Sequence, residues 1–340
     1  MHDFRTPPKL SPSALARWEG DVDAYFWQYI VPKEFRPNRA PQTGPMSVGS
    51  AFDALVKNSL YKRYFGELAC ESDSYRLRDL ITQQCEEHTL PDSLVIACDV
   101  FEQYDQCGAL SNLNDLIRQS ASVPRMEFEV DATIGGVPLM GKPDLHFYSH
   151  LGAHVIVDWK VSGSVSKCGV SPQQGYQIAL DVSGTRTSGK SHKRYIPTQH
   201  RGGLEVSGWT MDKSTDYWAD QLATYAWALG EPVGSKGFIC RIEQLACRPA
   251  PAKATDKRLR VKSVVHQATV DSDYQVALLE RYQKCWRHVT TGHYFPDLSR
   301  SQSDHRANAL IRTITHPNEA PSSSFPPSTT LCPSINWSLS

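Results

Sequence analysis

His154-Val155-Ile156-Val157-Asp158-Trp159-Lys160 is the stretch on which the fold of this chain turns. Val155, Ile156 and Val157 form a β-branched run of the kind that fills the centre of a buried sheet. Successive side chains of a strand point to opposite faces. Asp158 and Lys160 therefore project together, while Trp159 points the other way and can pack in a core.

The pattern extends outward from that strand on both sides. Upstream, Met126 to Ala132 alternates in the strand manner, Gly135-Gly136 is a hairpin turn signal, and Val137 to Met140 and Asp144 to Tyr148 continue as strand. Downstream, residues 161–213 carry many Gly, Ser and Gln and read as a long, loop-rich insertion. Tyr217 to Leu229 follows as an amphipathic helix with Trp218, Leu222, Tyr225 and Leu229 in one stripe. Strands are expected at Gly237 to Leu245 and Leu259 to Val270, then a helix from Ser272 to Thr290.

The N-terminal half reads as helical. Ser11-Pro12 is an N-cap followed by proline at the first helical position. Leu15, Trp18, Val22, Tyr25 and Phe26 recur at helical spacing behind it. A Pro-rich connection (Pro32 to Pro45) leads to a helix over Ser50 to Tyr64, entered through Gly49, and residues 74–118 read as further helices. From residue 298 the chain drifts to Ser, Thr, Pro and Asn, which predicts a disordered tail. The order predicts an α/β fold with a mixed central sheet flanked by helices. It divides into a helical N-terminal part (10–120) and a core (121–297), together one domain over 1–297.

Composition limits the function classes. The chain has 340 residues and a formal net charge of zero, so affinity for a polyanion needs local basic patches rather than a global field. No stretch approaches the length and apolarity of a membrane span, and no secretory signal is visible. Nine Cys without a C-x-x-C pair read as reduced thiols, which points to a cytoplasmic protein. No phosphate-cradling G-x-x-x-x-G-K-[ST] run is present, so a motor, if one is needed, is another chain.

Asp144, Asp158 and Lys160 carry the chemistry. Two neighbouring carboxylates stay ionised at neutral pH only with a cation between them. A hard dication does this, and Mg²⁺ (or Mn²⁺) needs only one or two carboxylates plus waters and phosphate oxygens. Lys160 would orient a nucleophile or neutralise charge building on a phosphate. The plain alternative is a surface ion pair between Asp158 and Lys160. Gln221 and Tyr225 are i,i+4 on one helix face. Tyr225 also belongs to the apolar stripe and has core packing as its alternative role.

These pieces in order, Leu10-Ser11-Pro12-Ser13-Ala14-Leu15, Gly49-Ser50-Ala51-Phe52-Asp53, Gly141-Lys142-Pro143-Asp144, Val157-Asp158-Trp159-Lys160 and Gln221-Leu222-Ala223-Thr224-Tyr225, resemble the PD-(D/E)xK nuclease superfamily. More narrowly they resemble the RecB-like nuclease domain also found in phage recombination exonucleases. The resemblance implies a restriction-endonuclease-like core and a Mg²⁺-dependent deoxyribonuclease of recombination, repair or phage DNA processing. An exonuclease comes first, with an endonuclease or a weak nuclease-fold binding module as the alternatives. It makes Asp144 and Asp158 metal ligands, with the Trp159 carbonyl as a third, and Lys160 catalytic. Gln221 and Tyr225 would stand on a helix beside the site. Many relatives place a His where this chain has Asp53, and a carboxylate there can also bind a hard metal. Some relatives hold an iron–sulfur cluster on one early and three late Cys. This chain lacks that arrangement, so no cluster is expected.

The partner implied is DNA, and the insertion supplies candidate contacts. Arg186, Lys190, Lys193, Arg194 and Arg201 lie there with no acid between the first and the last. Such residues give salt-sensitive, sequence-independent phosphate contacts. A recombinase, annealing protein or helicase is a further possible partner, and an oligomer is compatible with the sequence.

Overall fold

The computed structural model describes residues 6–36, 40–72, 75–162, 178–181, 193–196, 202–206, 209–210, 216–248, 250, 253, 255 and 258–315. The helical part opens with α1 (Pro12–Gly20) and α2 (Val22–Tyr25), the latter running into a π-helical turn at Phe26–Ile30, and a short 3₁₀ turn follows at Lys33–Phe35. Ser11 caps α1 as its sequence position predicts, its Oγ accepting from the Ala14 N–H at 3.2 Å. Then come α3 (Gly44–Phe65), α4 (Glu67–Ser72), α5 (Leu77–Gln84), α6 (Leu90–Gln106) and α7 (Ala109–Arg118). Helix α3 begins before Gly49, so that glycine lies inside the helix rather than at its entrance.

The strands begin with β1 (Arg125–Met126), β2 (Val130–Ile134), β3 (Val137–Gly141), β4 (Leu145–Tyr148) and β5 (His154–Ser162). Next are β6 (Ile178–Asp181), β7 (Lys193–Ile196), β8 (Leu204–Val206) and β9 (Trp209–Thr210), and then α8 (Asp216–Ala228). The chain continues through β10 (Ile239–Arg248), β11 (Arg260–Val270), α9 (Ser272–Thr290) and α10 (Arg300–Thr315).

Seven strands form one mixed sheet in the order β1-β4-β5-β10-β11-β8-β9. Strand β10 runs parallel to β5, and the other described pairs are antiparallel. A parallel neighbour requires a crossover, and α8 lies within it. The β2–β3 hairpin turns through Gly135 and Gly136, both at positive φ, but stands apart from the main sheet. It packs against α8 and carries the N-terminus, because Leu10 bridges to β3. The mixed sheet flanked by helices is the α/β architecture that the sequence predicts.

Within the loop-rich segment 161–213, β5 extends to Ser162, β6 and β7 form a two-stranded sheet, and β8 and β9 extend the edge of the main sheet. The disordered tail expected from 298 does not begin there, since 300–315 forms α10. Its Ser303, Ala307 and Ile311 are buried at four-residue spacing, and its Arg306 pairs with Asp23.

Alternation along β5 sorts the core. Val155, Val157 and Trp159 join one apolar cluster with Phe52 of α3, Tyr104 of α6 and Leu113 of α7. Ile156 joins the other cluster with Trp18, Leu222, Trp227 and Tyr282 on the α1, α8 and α9 side. Among the described residues no helix is long and apolar enough to cross a membrane, and the seven described cysteines are free.

His266 on β11 is fully buried, its Nε2 2.9 Å from Gln244 Oε1 on β10. Burial holds its pKa down from the usual 6.5 to about 4. The unfolded chain takes up that proton near pH 6.5 and the folded chain only near pH 4, so this residue's contribution to stability is lost as pH falls through that window. The difference corresponds to about 3 kcal/mol. A His266→Gln variant is therefore expected to lose stability less steeply than the parent between pH 6.5 and 4 in urea titrations. Parallel acid limbs would refute this.

Candidate active site

Asp158 and Lys160 leave β5 on the α8 side of the sheet, as alternation requires. Asp158 is buried, and its Oδ2 lies 2.7 Å from Lys160 Nζ in an ion pair. Burial pushes the Asp158 carboxyl up, the neighbouring Lys160 works against this, and the charge of Asp144 adds to it. For Lys160 burial disfavours the ammonium, but Asp158 and Asp144 outweigh that and hold its pKa above the ordinary lysine value. The ammonium is thus fixed in its charged form.

Pro143-Asp144 sits just before β4. Leu145 pairs with Val157, so Asp144 stands one step along, opposite Asp158. Asp144 Oδ2 accepts from the Trp159 N–H at 3.2 Å, which pins its carboxylate against β5 between Asp158 and Lys160. Trp159 itself turns into the opposite core and donates its indole N–H to Tyr104 Oη at 3.4 Å.

Helix α8 supports the cluster from above. Lys160 Nζ donates to Gln221 Oε1 at 2.8 Å, and Gln221 Nε2 donates to Tyr225 Oη at 2.8 Å. The chain of three runs along the i,i+4 face that the sequence indicates. The rings of Tyr217 and Trp218 each lie 6.0 Å from the ammonium. Tyr225 serves both of its candidate roles, since it is buried in the apolar cluster and bonded to Gln221.

Gly141 makes room for that tyrosine. A Cβ there would overlap Tyr225 Cδ1 and Cε1. Gly141→Ala is therefore expected to displace the ring and with it Gln221, at a cost of about 1–3 kcal/mol. Thermal unfolding checks this, and an unchanged midpoint would refute it.

Asp53, on α3, belongs to the same cluster but is already engaged. It is ion-paired with Lys57 one turn on, a side chain with no exposure. Lys57 also reaches Glu127 Oε1 at 2.7 Å. Burial pushes the Asp53 carboxyl up, Lys57 opposes that, and Asp144 reinforces it. For Lys57 burial disfavours the charge, but Asp53, Asp144 and Glu127 overcome it and raise its pKa. Burial likewise disfavours the Glu127 carboxylate, yet Lys57 and Lys142 hold it below its ordinary value. Glu127 is the non-glycine residue at positive φ (45°) among the described residues, and its N–H donates to the Asp144 carbonyl at 3.2 Å. Strain of this kind persists where surroundings over-determine it and clusters at functional sites.

Lys57 and Glu127 are the members that sequence reasoning missed. Lys57 had a signal, its four-residue spacing from Asp53. Glu127 had none, because it falls in a segment that alternates like a strand.

The donor set suits a hard dication. Four carboxylates (Asp53, Glu127, Asp144 and Asp158) gather with the ammoniums of Lys57, Lys142 and Lys160, so the acids outnumber the bases by one. Asp158 Oδ2 is buried with the Lys160 ammonium as its partner, and every candidate ligand is oxygen. Among the described residues no group of three or more His, Cys, Asp or Glu is gathered to hold an ion. A bound dication would therefore draw on two carboxylates, with carbonyl, water and phosphate oxygens completing its shell, as Mg²⁺ commonly does.

Of the expected DNA contacts, Arg186, Lys190 and Arg201 lie outside the described residues. Lys193 and Arg194 fall on β7, of which only the backbone is described.

No protein-family model matches this chain, and no curated protein matches it. Among solved structures it is similar to a candidate exonuclease from Eubacterium rectale, at 14% identity over 84% of this chain and 82% of that one, with a TM-score of 0.40. It is also similar to the protein SSO0001, at 12% identity over 80% of this chain and 84% of that one, with a TM-score of 0.25.

Proposed function

We propose that this protein is a metal-dependent deoxyribonuclease of the PD-(D/E)xK type, an exonuclease of recombination, repair or phage DNA processing. The observation that carries the reading is the bond from the Trp159 N–H to Asp144, which sets two carboxylates and the Lys160 ammonium together on one sheet face. Asp144 and Asp158 would hold Mg²⁺ or Mn²⁺, with the Trp159 carbonyl as a third ligand and Asp53 beside them. A dication there supplies a water of lowered pKa and a polarised phosphate.

The chain's own groups do the rest. Lys160, kept protonated by its acidic neighbours, presents positive charge where negative charge gathers on the phosphate. Gln221 fixes the direction of that ammonium, and Tyr225 fixes Gln221. Arg186, Lys190, Lys193, Arg194 and Arg201 would grip the DNA backbone.

Incubation with linear and circular duplexes, with Mg²⁺ and then with EDTA, tests the reading. Loss of linear DNA alone, stopped by EDTA, is the expected result. Cutting of circles would make the protein an endonuclease. The engagement of Asp53 by Lys57 favours one further reading, a nuclease-fold module that holds DNA without cutting it, and retarded mobility with no cleavage would establish that instead. Neutralising Arg186, Lys193 and Arg194 together is expected to weaken DNA binding and flatten its salt dependence by roughly one power of salt per lost phosphate contact. An unchanged slope in filter-binding assays would remove these residues from the interface.

A further inference from the structure

Past Tyr225, near the end of α8, a cavity of 340 Å³ opens between the helix and the sheet. Ser122, Arg125, Asp131, His146, Tyr148 and Leu229 are on its wall. Eight residues of helical rise separate Gln221 from Leu229, about 12 Å, so the cavity is distinct from the carboxylate site. Its volume lies in the range of small-molecule pockets.

Arg125, Ser122 and His146 are the polar side chains of interest on its wall. The Arg125 guanidinium lies over the Phe128 ring at 3.7 Å, with no ion pair to it among the described residues. Ser122 Oγ accepts from the Tyr148 N–H at 2.9 Å, which leaves its own hydroxyl proton to give. His146 is 3% exposed, with Nε2 2.9 Å from His154 Nδ1 and a buried Nδ1 that has no partner. Burial, His154 and Arg125 hold its pKa down to about 4, so the ring is neutral at physiological pH.

Two neutral imidazoles share one proton across their bond. An anion at that wall would select the tautomer in which His154 Nδ1 donates to His146 Nε2, with the His146 proton on its own Nδ1 as a third donor. The carboxylate on the wall, Asp131, is paired with Lys9 at 2.9 Å. Arg125 and Ser122, with His146 in that tautomer, would each give a hydrogen bond to an anion, and a guanidinium is matched to phosphate oxygens. Val123, Tyr148 and Leu229 add apolar surface to the same wall, against which an organic body could lie.

We propose that this cavity binds a phosphomonoester of nucleotide size, a nucleoside monophosphate, through Arg125, Ser122 and His146. Calorimetric titration of the full chain with adenosine 5′-monophosphate in EDTA tests it. One saturable site per chain is expected, displaced by inorganic phosphate and weakened at least tenfold in Arg125→Gln, an exposed position whose change leaves the core intact. Asp158→Asn, which alters the carboxylate site, is expected to bind as the parent does. In ¹⁵N-labelled protein the His146 Nδ1 resonance should move to the protonated position when ligand is added. Absence of binding, equal affinity in Arg125→Gln, loss of binding in Asp158→Asn, or binding of inorganic phosphate without the nucleotide would each overturn the assignment.

Discussion

Lys160→Ala is expected to lower cleavage of linear DNA by at least about a hundred- to a thousandfold, the usual loss when one preorganised charge-stabilising donor is removed. The Lys160 side chain is 18% exposed, and its ammonium sits between Asp158 and Gln221 with its charged form secured by its acidic neighbours. DNA affinity is expected to stay within a few-fold of the parent, because Lys160 is one cation among many that could meet the backbone. A kcat near the parent's, measured in single turnovers, would take Lys160 out of the reaction. Gln221→Ala is expected to cost less than Lys160→Ala, since Gln221 acts through the lysine.

Lys57→Met is expected to destabilise the fold by about 3–5 kcal/mol, the usual cost of removing one partner from a buried charge pair. The side chain has no exposure and faces both Asp53 and Glu127. Methionine keeps most of the volume, so the loss reports charge rather than a cavity. The variant leaves those two carboxylates and Asp144 close together with the buried ammonium between them gone, and only the exposed Lys142 still on Glu127. Added Mg²⁺ is expected to restore more stability to this variant than to the parent, because only the variant lacks an internal cation there. Urea unfolding with and without Mg²⁺ measures both effects. A change below about 1 kcal/mol would mean that Lys57 is not needed to balance the cluster.

How far the sequence reveals this molecule depends on periodicity. Strand β5 was legible because a β-branched run fixes the strand and a period of two fixes its faces. Trp159 in one core with Asp158 and Lys160 on the other side follows from that alone. Helix α8 was legible from its stripe, and the hairpin from Gly135-Gly136. Glu127 was hidden because its positive φ breaks the strand between β1 and β2, and the residue types give no sign of that turn. Strands β8 and β9 are only three and two residues long, too short for alternation to register among Gly and Ser. Helix α10 escaped because its buried stripe is Ser303, Ala307 and Ile311, of which only isoleucine is strongly apolar. The pairing of His146 with His154 joins neighbouring strands across the β4–β5 turn and depends on register, which composition does not encode.

Titration of Mn²⁺ into the metal-free protein, followed by electron paramagnetic resonance, bears most directly on the claim that Asp144 and Asp158 form a dication site. One ion per chain is predicted for the parent, with binding lost in Asp158→Asn and recovered signal when Mg²⁺ competes. Failure of the parent to bind Mn²⁺, or undiminished binding in Asp158→Asn, would contradict the account.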